Sequence, residues 1–252
     1  MDEIRVETKG AVRTITLNRP EKRNALTPAM VEELTRLFSV QPPDSERVTL
    51  LRAEGKTFSA GMDLKERLEN GWPVESPLVR LCNAVRTYAL PVMVAMQGDA
   101  VAGGAMLVLH CDLVVAMEGA HFAMTLAQIG IAPPWIVTSR IADRVGPALA
   151  REMLYLGDFV PVARLAQHNA INAAVSREEF PYVVERYLKR LSQNAPLSLK
   201  CVKQHLVKVS DQSSTEPLPE EERWTRLALD SADAREGQQA RLEHREPRFQ
   251  GK

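Results

Sequence analysis

The stretch Pro91–Met117, PVMVAMQGDAVAGGAMLVLHCDLVVAM, decides how the rest of the chain is read. Val92–Met96 is a short, wholly apolar run bounded by Pro91 and Gln97-Gly98, which predicts a strand buried on both faces. Gly98, Gly103 and Gly104 form a glycine turn, Ala105–His110 reads as an apolar helix, and Leu113–Met117 as a second buried strand. Gly103 and Gly104 sit where a strand hands over to a helix. Their N–H groups and the positive end of the helix dipole therefore face whatever occupies the turn. That geometry stabilises negative charge, and the helix behind it carries no acid or base except His110.

Working outward, Ile4–Thr8 and Val12–Leu17 alternate around Lys9-Gly10, as a hairpin or two adjacent short strands. Thr27-Pro28 opens a helix, with Thr27 as N-cap and Met30, Leu34 and Leu37 on one face. Val48–Arg52 is the next strand. Glu54–Leu64, EGKTFSAGMDL, is a second strand–glycine–helix passage, with Gly61 ending the extended part and Asp63 in the first turn of a helix through Leu68. Glu69–Pro77 is an irregular connector and Leu78–Tyr88 an amphipathic helix. Beyond the central stretch come a short strand His121–Met124 and a brief helix or loop Thr125–Ile131. Helices follow at Ile136–Val145, Pro147–Leu156, Ala163–His168 and Glu178–Ala195. Strands and helices alternating in this way predict an α/β or mixed-layer fold. From Pro196 onward the chain becomes amphipathic helix, punctuated at Pro217–Pro219. Leu197, Val202, Leu206 and Val209 mark one helix, and Trp224, Leu227 and Leu229 need a partner surface, so this tail packs on a core, its own or a neighbour's. The expected division is residues 1–195 as core and 196–252 as helical appendage.

The 252 residues suffice for one large domain with a sizeable core, and 45% apolar content is ordinary for a globular protein. Basic and acidic residues balance at 32 each, so no global field recruits nucleic acid or an anionic membrane. Cys82, Cys111 and Cys201 are odd in number and far apart, in apolar contexts. They read as reduced packing residues, with neither zinc-type spacing nor a disulfide framework. No apolar run reaches the roughly 20 residues of a membrane span, and no signal peptide precedes Arg5. The expectation is a cytoplasmic protein with no metal.

Three passages together resemble the crotonase (enoyl-CoA hydratase/isomerase) superfamily: LNRPEKRNAL (Leu17–Leu26), FSAGMDL (Phe58–Leu64) and MQGDAVAGGAMLVLHCDLVVA (Met96–Ala116). F-A-M-T with the following Gly130, NAPLSLKCVKQHL and the closing EGQQARLEHREPRF support the likeness. The resemblance implies a spiral of β-β-α repeats with a C-terminal helical trimerisation region, assembled as homotrimers or hexamers. It implies no permanently bound cofactor. The substrate is an acyl thioester of coenzyme A or of the phosphopantetheine of an acyl carrier protein. Its carbonyl would lie between the backbone N–H groups of Met62 and Gly103. Two such donors, one at a helix N-terminus, stabilise an enolate oxyanion, each typically by about 3–4 kcal/mol. Lys22, Arg23 and Ala60 fall in segments that resemble the family's nucleotide-contacting loops, and Phe249 and Lys252 resemble residues that reach a neighbour's adenine pocket.

The pattern also departs from the family's hydratases, which use two glutamates as acid and base. Those positions align with Met106 and Leu126, and Ala100–Cys111 and Gly119–Ala142 contain no Asp or Glu at all. Hydration needs a positioned base for water and an acid for the α-carbon. Decarboxylation needs no base, because the leaving carboxylate already holds the electrons; an oxyanion hole and an apolar wall suffice. PVMVAMQG and the run from Gly130 to Gly146 resemble the decarboxylases of polyketide β-branching, while F-A-M-T and the C-terminal segment resemble methylmalonyl-CoA decarboxylase. The methylmalonyl enzyme's tyrosine falls near Pro133. The polyketide enzymes' lysine has no clear counterpart between Glu69 and Pro77, and their histidine falls near Arg226. Thr125 and Trp135 flank the lost-glutamate segment as candidate acyl contacts. Arg226 is a candidate carboxylate partner, His110 a candidate proton donor against a core role, and Glu66 an alternative base. Trp72 and Tyr88 border the expected acyl pocket and read as packing residues, and Asp63 and Asp112 read as structural.

Overall fold

A computed structural model describes residues 2–70, 76–213 and 230–248. Strands β1 (Ile4–Lys9) and β2 (Val12–Leu17) form an antiparallel hairpin, Ile4 opposite Leu17, turning at Gly10. Helix α1 (Pro28–Ser39) begins at Thr27, whose hydroxyl accepts the Met30 N–H at 3.1 Å and satisfies one of the free donors of the first turn. Strand β3 (Val48–Ala53), helix α2 (Leu64–Asn70), helix α3 (Pro77–Thr87) and strand β4 (Val92–Met96) follow. Then come β5 (Ala100–Val101), α4 (Gly103–His110), β6 (Leu113–Met117) and β7 (His121–Ala123), ending in a 3-10 turn at Ala127–Ile129. The remainder is α5 (Trp135–Val145), α6 (Pro147–Leu156), β8 (Val160–Pro161), α7 (Val162–Gln167), β9 (Ala173–Val175), α8 (Phe180–Gln193), α9 (Pro196–Ser213) and a last helix, here α10 (Ala232–Leu242).

The strands form a six-stranded sheet in the order β1-β2-β3-β4-β6-β9, parallel from β2 to β9, and a small sheet β5-β7-β8. Three successive passages share one plan. β3 leads to a bridge at Ser59 and then α2, β4 to β5 and then α4, and β6 to β7 and then the 3-10 turn. Each lends one strand to the large sheet, one short pairing to the second layer, and then a helical segment. All five residues of β4 are buried, as its unbroken apolar run requires of a central parallel strand. The main core lies between the large sheet and α1, α3, α4 and α5.

Three strands escape the sequence reading: β5, β8 and β9 are two or three residues long, too short to express a period of two. Asp63 precedes α2 rather than lying in its first turn, and its carboxylate accepts the Glu66 N–H at 3.5 Å. Helix α9 is tied to the sheet's lower edge by the buried Lys203, which donates to Val85 O (3.2 Å), Leu90 O (2.9 Å) and Asp112 Oδ2 (2.7 Å). Its Leu197, Val202, Leu206 and Val209 remain exposed. The α10 segment of the tail packs on its own chain, against the 3-10 turn and α2, with Gly237 directly over Ile129. Trp224, Leu227 and Leu229 lie outside the described residues. Among the described residues no helix is long and apolar enough to cross a membrane.

Candidate active site

The site is built where two of the repeated passages meet, at the carboxyl ends of β3 and β4. In the first passage, residues 59–63 are tied to the loop before α1. Ala60 N–H donates to Arg23 O (2.9 Å), Gly61 N–H to Ser59 Oγ (3.2 Å) and Asp63 N–H to Leu26 O (2.9 Å), while Gly61 O accepts from Leu26 N–H (2.7 Å). Gly61 has φ +92, a conformation that L side chains rarely adopt, and it turns the next amide away from the loop. Of the amides at 60–63, Met62 N–H is the one with no acceptor in the protein among the described residues.

The second passage supplies Gly103. β5 pairs with β7, and Ala102 N–H donates to Ala123 O at 2.7 Å. Ala102 then adopts φ 46, ψ −112, a strained backbone for a residue with a Cβ, and its carbonyl accepts Met106 N–H at 2.9 Å to start α4. The sharp turn leaves Gly103 N–H without an acceptor among the described residues, at the positive end of a wholly buried helix. The two free amides are neighbours: a Cβ on Gly103 would stand 3.3 Å from Met62 N, and one on Gly61 would stand 3.1 Å from Gly103 N. The first amides of a helix have no intrahelical partner, and here one stands beside a second acceptor-free N–H, an arrangement suited to an external oxygen. The fold and this cradle define an α/β protein equipped to hold a developing oxyanion.

Around the cradle, Met62 and Leu126 are half-buried and packed on the core, while Met106 is 3% exposed and lies one turn into α4. Thr125 is also 3% exposed, and its hydroxyl makes no hydrogen bond among the described residues. It follows β7 by two residues, and β7 is the strand that holds Ala102. Trp135 is half-buried at the start of α5. Lys22 and Arg23 are exposed, and the Arg23–Ala60 bond brings that basic loop beside the first half of the cradle. Trp72, Arg226, Phe249 and Lys252 lie outside the described residues.

Other candidates fall away from the site. His110 ends α4, about 10 Å of helix rise from Gly103. It is 1% exposed, with Nδ1 bonded to Met106 O at 2.7 Å. Burial pushes its pKa down to about 4, the Met106 carbonyl opposes this, and the guanidiniums of Arg140, Arg144 and Arg86 push it further down. It is a core histidine and not a proton donor to the cradle. Tyr88 precedes β4, at the opposite edge of the sheet, where its ring packs edge-on against Phe38 and under Arg13; it does not border the pocket. His121 pairs with Asp99 (3.1 Å) and His205 contacts Cys201 Sγ (3.6 Å). Asp63 is held by Arg19 Nη1 at 2.9 Å. Burial pushes its carboxyl up, and the bonded guanidinium outweighs this to keep it below the usual range. Glu66 Oε1 lies 4.0 Å from Arg19 Nη2.

Comparison with known proteins agrees. The family model for enoyl-CoA hydratase/isomerase matches residues 7–252. A putative enoyl-CoA hydratase of Thermus thermophilus is 32% identical over 96% of this chain and 98% of its own. The 1,2-epoxyphenylacetyl-CoA isomerase of Escherichia coli is 31% identical over the full length of both. A crystal structure of methylmalonyl-CoA decarboxylase superposes with a TM-score of 0.90 at 25% identity, covering 100% of this chain and 99% of that one. The chain belongs to the enoyl-CoA hydratase/isomerase, or crotonase, family. Members of this family bind acyl-CoA and are typically oligomeric.

Proposed function

We propose that this protein is an acyl-thioester decarboxylase whose substrate is carried on coenzyme A or on an acyl carrier protein. The observation that carries the reading is the pair of acceptor-free N–H groups on Met62 and Gly103, combined with no Asp or Glu anywhere in 100–111 or 119–142. The thioester oxygen accepts both N–H groups. The bond between the carboxylate and the α-carbon (in a glutaconyl thioester the γ-carbon, conjugated through the double bond) breaks, its electron pair moves into the thioester to form an enolate or dienolate, and carbon dioxide leaves. Each donor is worth about 3–4 kcal/mol at the moment the charge moves onto oxygen. Met106 and Leu126 offer a carboxylate no hydrogen bond, which favours its loss as a neutral molecule. A proton then returns to the α-carbon, or to the α- or γ-carbon of the dienolate, and Thr125 and Trp135 flank the acyl group. Lys22, Arg23 and Ala60 face the carrier's phosphates, no cofactor is permanently bound, and the protein works as a homotrimer or hexamer.

A second reading is an enoyl-thioester hydratase or isomerase, favoured by the names of the sequence relatives. The engagement of Glu66 with Arg19 speaks against the most accessible base for that chemistry. The test is isotopic: malonyl-, methylmalonyl- and glutaconyl-type thioesters, each on both carriers, incubated in deuterium oxide. Released carbon dioxide supports decarboxylation when one deuterium enters the α-carbon of the malonyl and methylmalonyl products, or the α- or γ-carbon of the glutaconyl product. Deuterium at the α or γ carbon without carbon dioxide sinks it in favour of the second reading, and tight binding without turnover indicates a thioester-binding subunit.

A further inference from the structure

The two donors of the cradle come from chain segments about forty residues apart, and one residue is tied to both, by its side chain to the first and by its backbone to the second. Ser59 is fully buried. Its hydroxyl donates to Asn24 O at 2.9 Å and accepts the Gly61 N–H at 3.2 Å, so it fixes the peptide that precedes Met62. Its backbone is stitched to the other half: Ser59 N–H donates to Asp99 O (3.2 Å), Val101 N–H donates to Ser59 O (2.9 Å), and Ser59 pairs with Ala100 as a parallel bridge. On the α4 side it is packed to the limit, since a Cβ on Gly104 would stand 2.7 Å from Ser59 Cβ and Ser59 O. The anchor is itself rigid. Asn24 is fully buried, accepts the Arg19 N–H at 2.8 Å, and donates to Glu54 O and Thr57 O, each at 2.8 Å.

We infer that Ser59 is the positioning residue that sets the separation and aim of the Met62 and Gly103 N–H groups. The inference rests on these amides being the oxyanion hole, and deepens that reading. An oxyanion gains from two donors only when both lie about 2.7–3.1 Å from it, and a displacement near 1 Å costs roughly a hundredfold in rate. A hydroxyl is the side chain that suits this place. Alanine leaves the Gly61 N–H without an acceptor, and threonine adds a methyl group beside a contact that has no room for one. Ser59 does not touch the reacting atoms; it acts through Gly61 and through the β5–α4 turn.

The test reads the carbonyl itself, independently of which reaction follows. Propionyl-CoA labelled with carbon-13 at the thioester carbonyl is bound to the full-length protein and its infrared stretch recorded. Binding of a thioether analogue that lacks the carbonyl is measured in parallel. In the wild type the stretch moves to lower frequency on binding. In Ser59→Ala that displacement falls by half or more and kcat drops roughly 10–100-fold, with KM and thioether affinity within about twofold. Ser59→Cys, which keeps a weaker donor and acceptor, lies between and remains measurable if the alanine variant fails to fold. A displacement present in the wild type and undiminished in either variant overturns this inference alone. Equal loss of thioether binding also overturns it, by showing a general structural defect. No displacement in the wild type overturns the oxyanion reading and this inference with it.

Discussion

The two ends of helix α4 are opposites. At the amino end, Gly103 N–H is left open beside Met62 N–H, and nearby Met106 and Thr125 are buried with no charge. At the carboxyl end, the protein supplies its own counter-charge: Arg144 donates to Cys111 O, while Arg86 and Arg140 bear on the buried His110. A helix dipole favours anions at one end and cations at the other. Here the cationic need is met internally and the anionic one is left for a ligand. On the proposed function, the difference teaches where substitutions should be felt: in stability at the closed end, in chemistry at the open end.

The largest effect is expected at the closed end. Lys203→Met removes the buried ammonium from three acceptors, one of them the Asp112 carboxylate. It should cost about 3 kcal/mol of unfolding free energy in urea while leaving kcat unchanged. At the open end the pattern inverts. Gly103→Ala places a methyl group 3.3 Å from Met62 N, displaces only the mobile tip of Leu78, and crowds the gap between the donors. Turnover should fall roughly a hundredfold, about 2.7 kcal/mol of barrier, with little change in melting temperature. If Gly103→Ala unfolds the protein instead, the division of labour is wrong.

The pH response belongs to the closed end. The folded chain keeps His110 neutral down to about pH 4, whereas the unfolded chain takes up its proton near the ordinary value of 6.5. Between those values the unfolded state binds more protons, so stability is complete above the upper value and is lost as the pH falls. About 2 kcal/mol should disappear between pH 7.5 and pH 5. Denaturation of His110→Leu across that range should show a shallower loss; an unchanged slope removes His110 as its source. The smallest effect is at Ala102. Ala102→Gly relieves a backbone conformation that suits glycine, φ 46 and ψ −112, and should raise stability by about 1 kcal/mol in chemical denaturation. Any fall in stability would mean that the turn is not strained.

The parts of this molecule that repeat a period or carry a cap were legible in the sequence. β4 and β6 match their apolar runs residue for residue, and Thr27 caps α1 through a side-chain bond that Thr-Pro announces. The resemblance of FSAGMDL and of the Gly103 turn assigns the Met62 and Gly103 amides as donors, and among the described residues neither N–H has an acceptor in the protein. What stayed hidden depends on contacts between distant segments. β9 owes its strand character to pairing with β6, not to three small residues of its own. Tyr88 packs on Phe38 and Arg13, as its packing reading expects, and its place at the far end of β4 from the cradle follows from the strand, which carries its two ends to opposite sides of the sheet. Ser59 and Asn24 gave no signal beyond being small and polar, since their importance lies in which backbone groups they reach. Ala102 gave none either, because nothing in an alanine foretells a positive φ.

Because β3 and β4 lie side by side in parallel, the Ser59–Ala100 bridge closes a loop of about forty residues. Such long-range closures form late, since their entropy must be overcome before any contact rewards it. Neither half of the cradle has meaning alone: Met62 N–H finds its companion only after the second passage has docked on the first. During refolding, thioester binding should therefore return with the final cooperative phase and not with early helix formation. The ligand itself reports on the completeness of the chain's assembly.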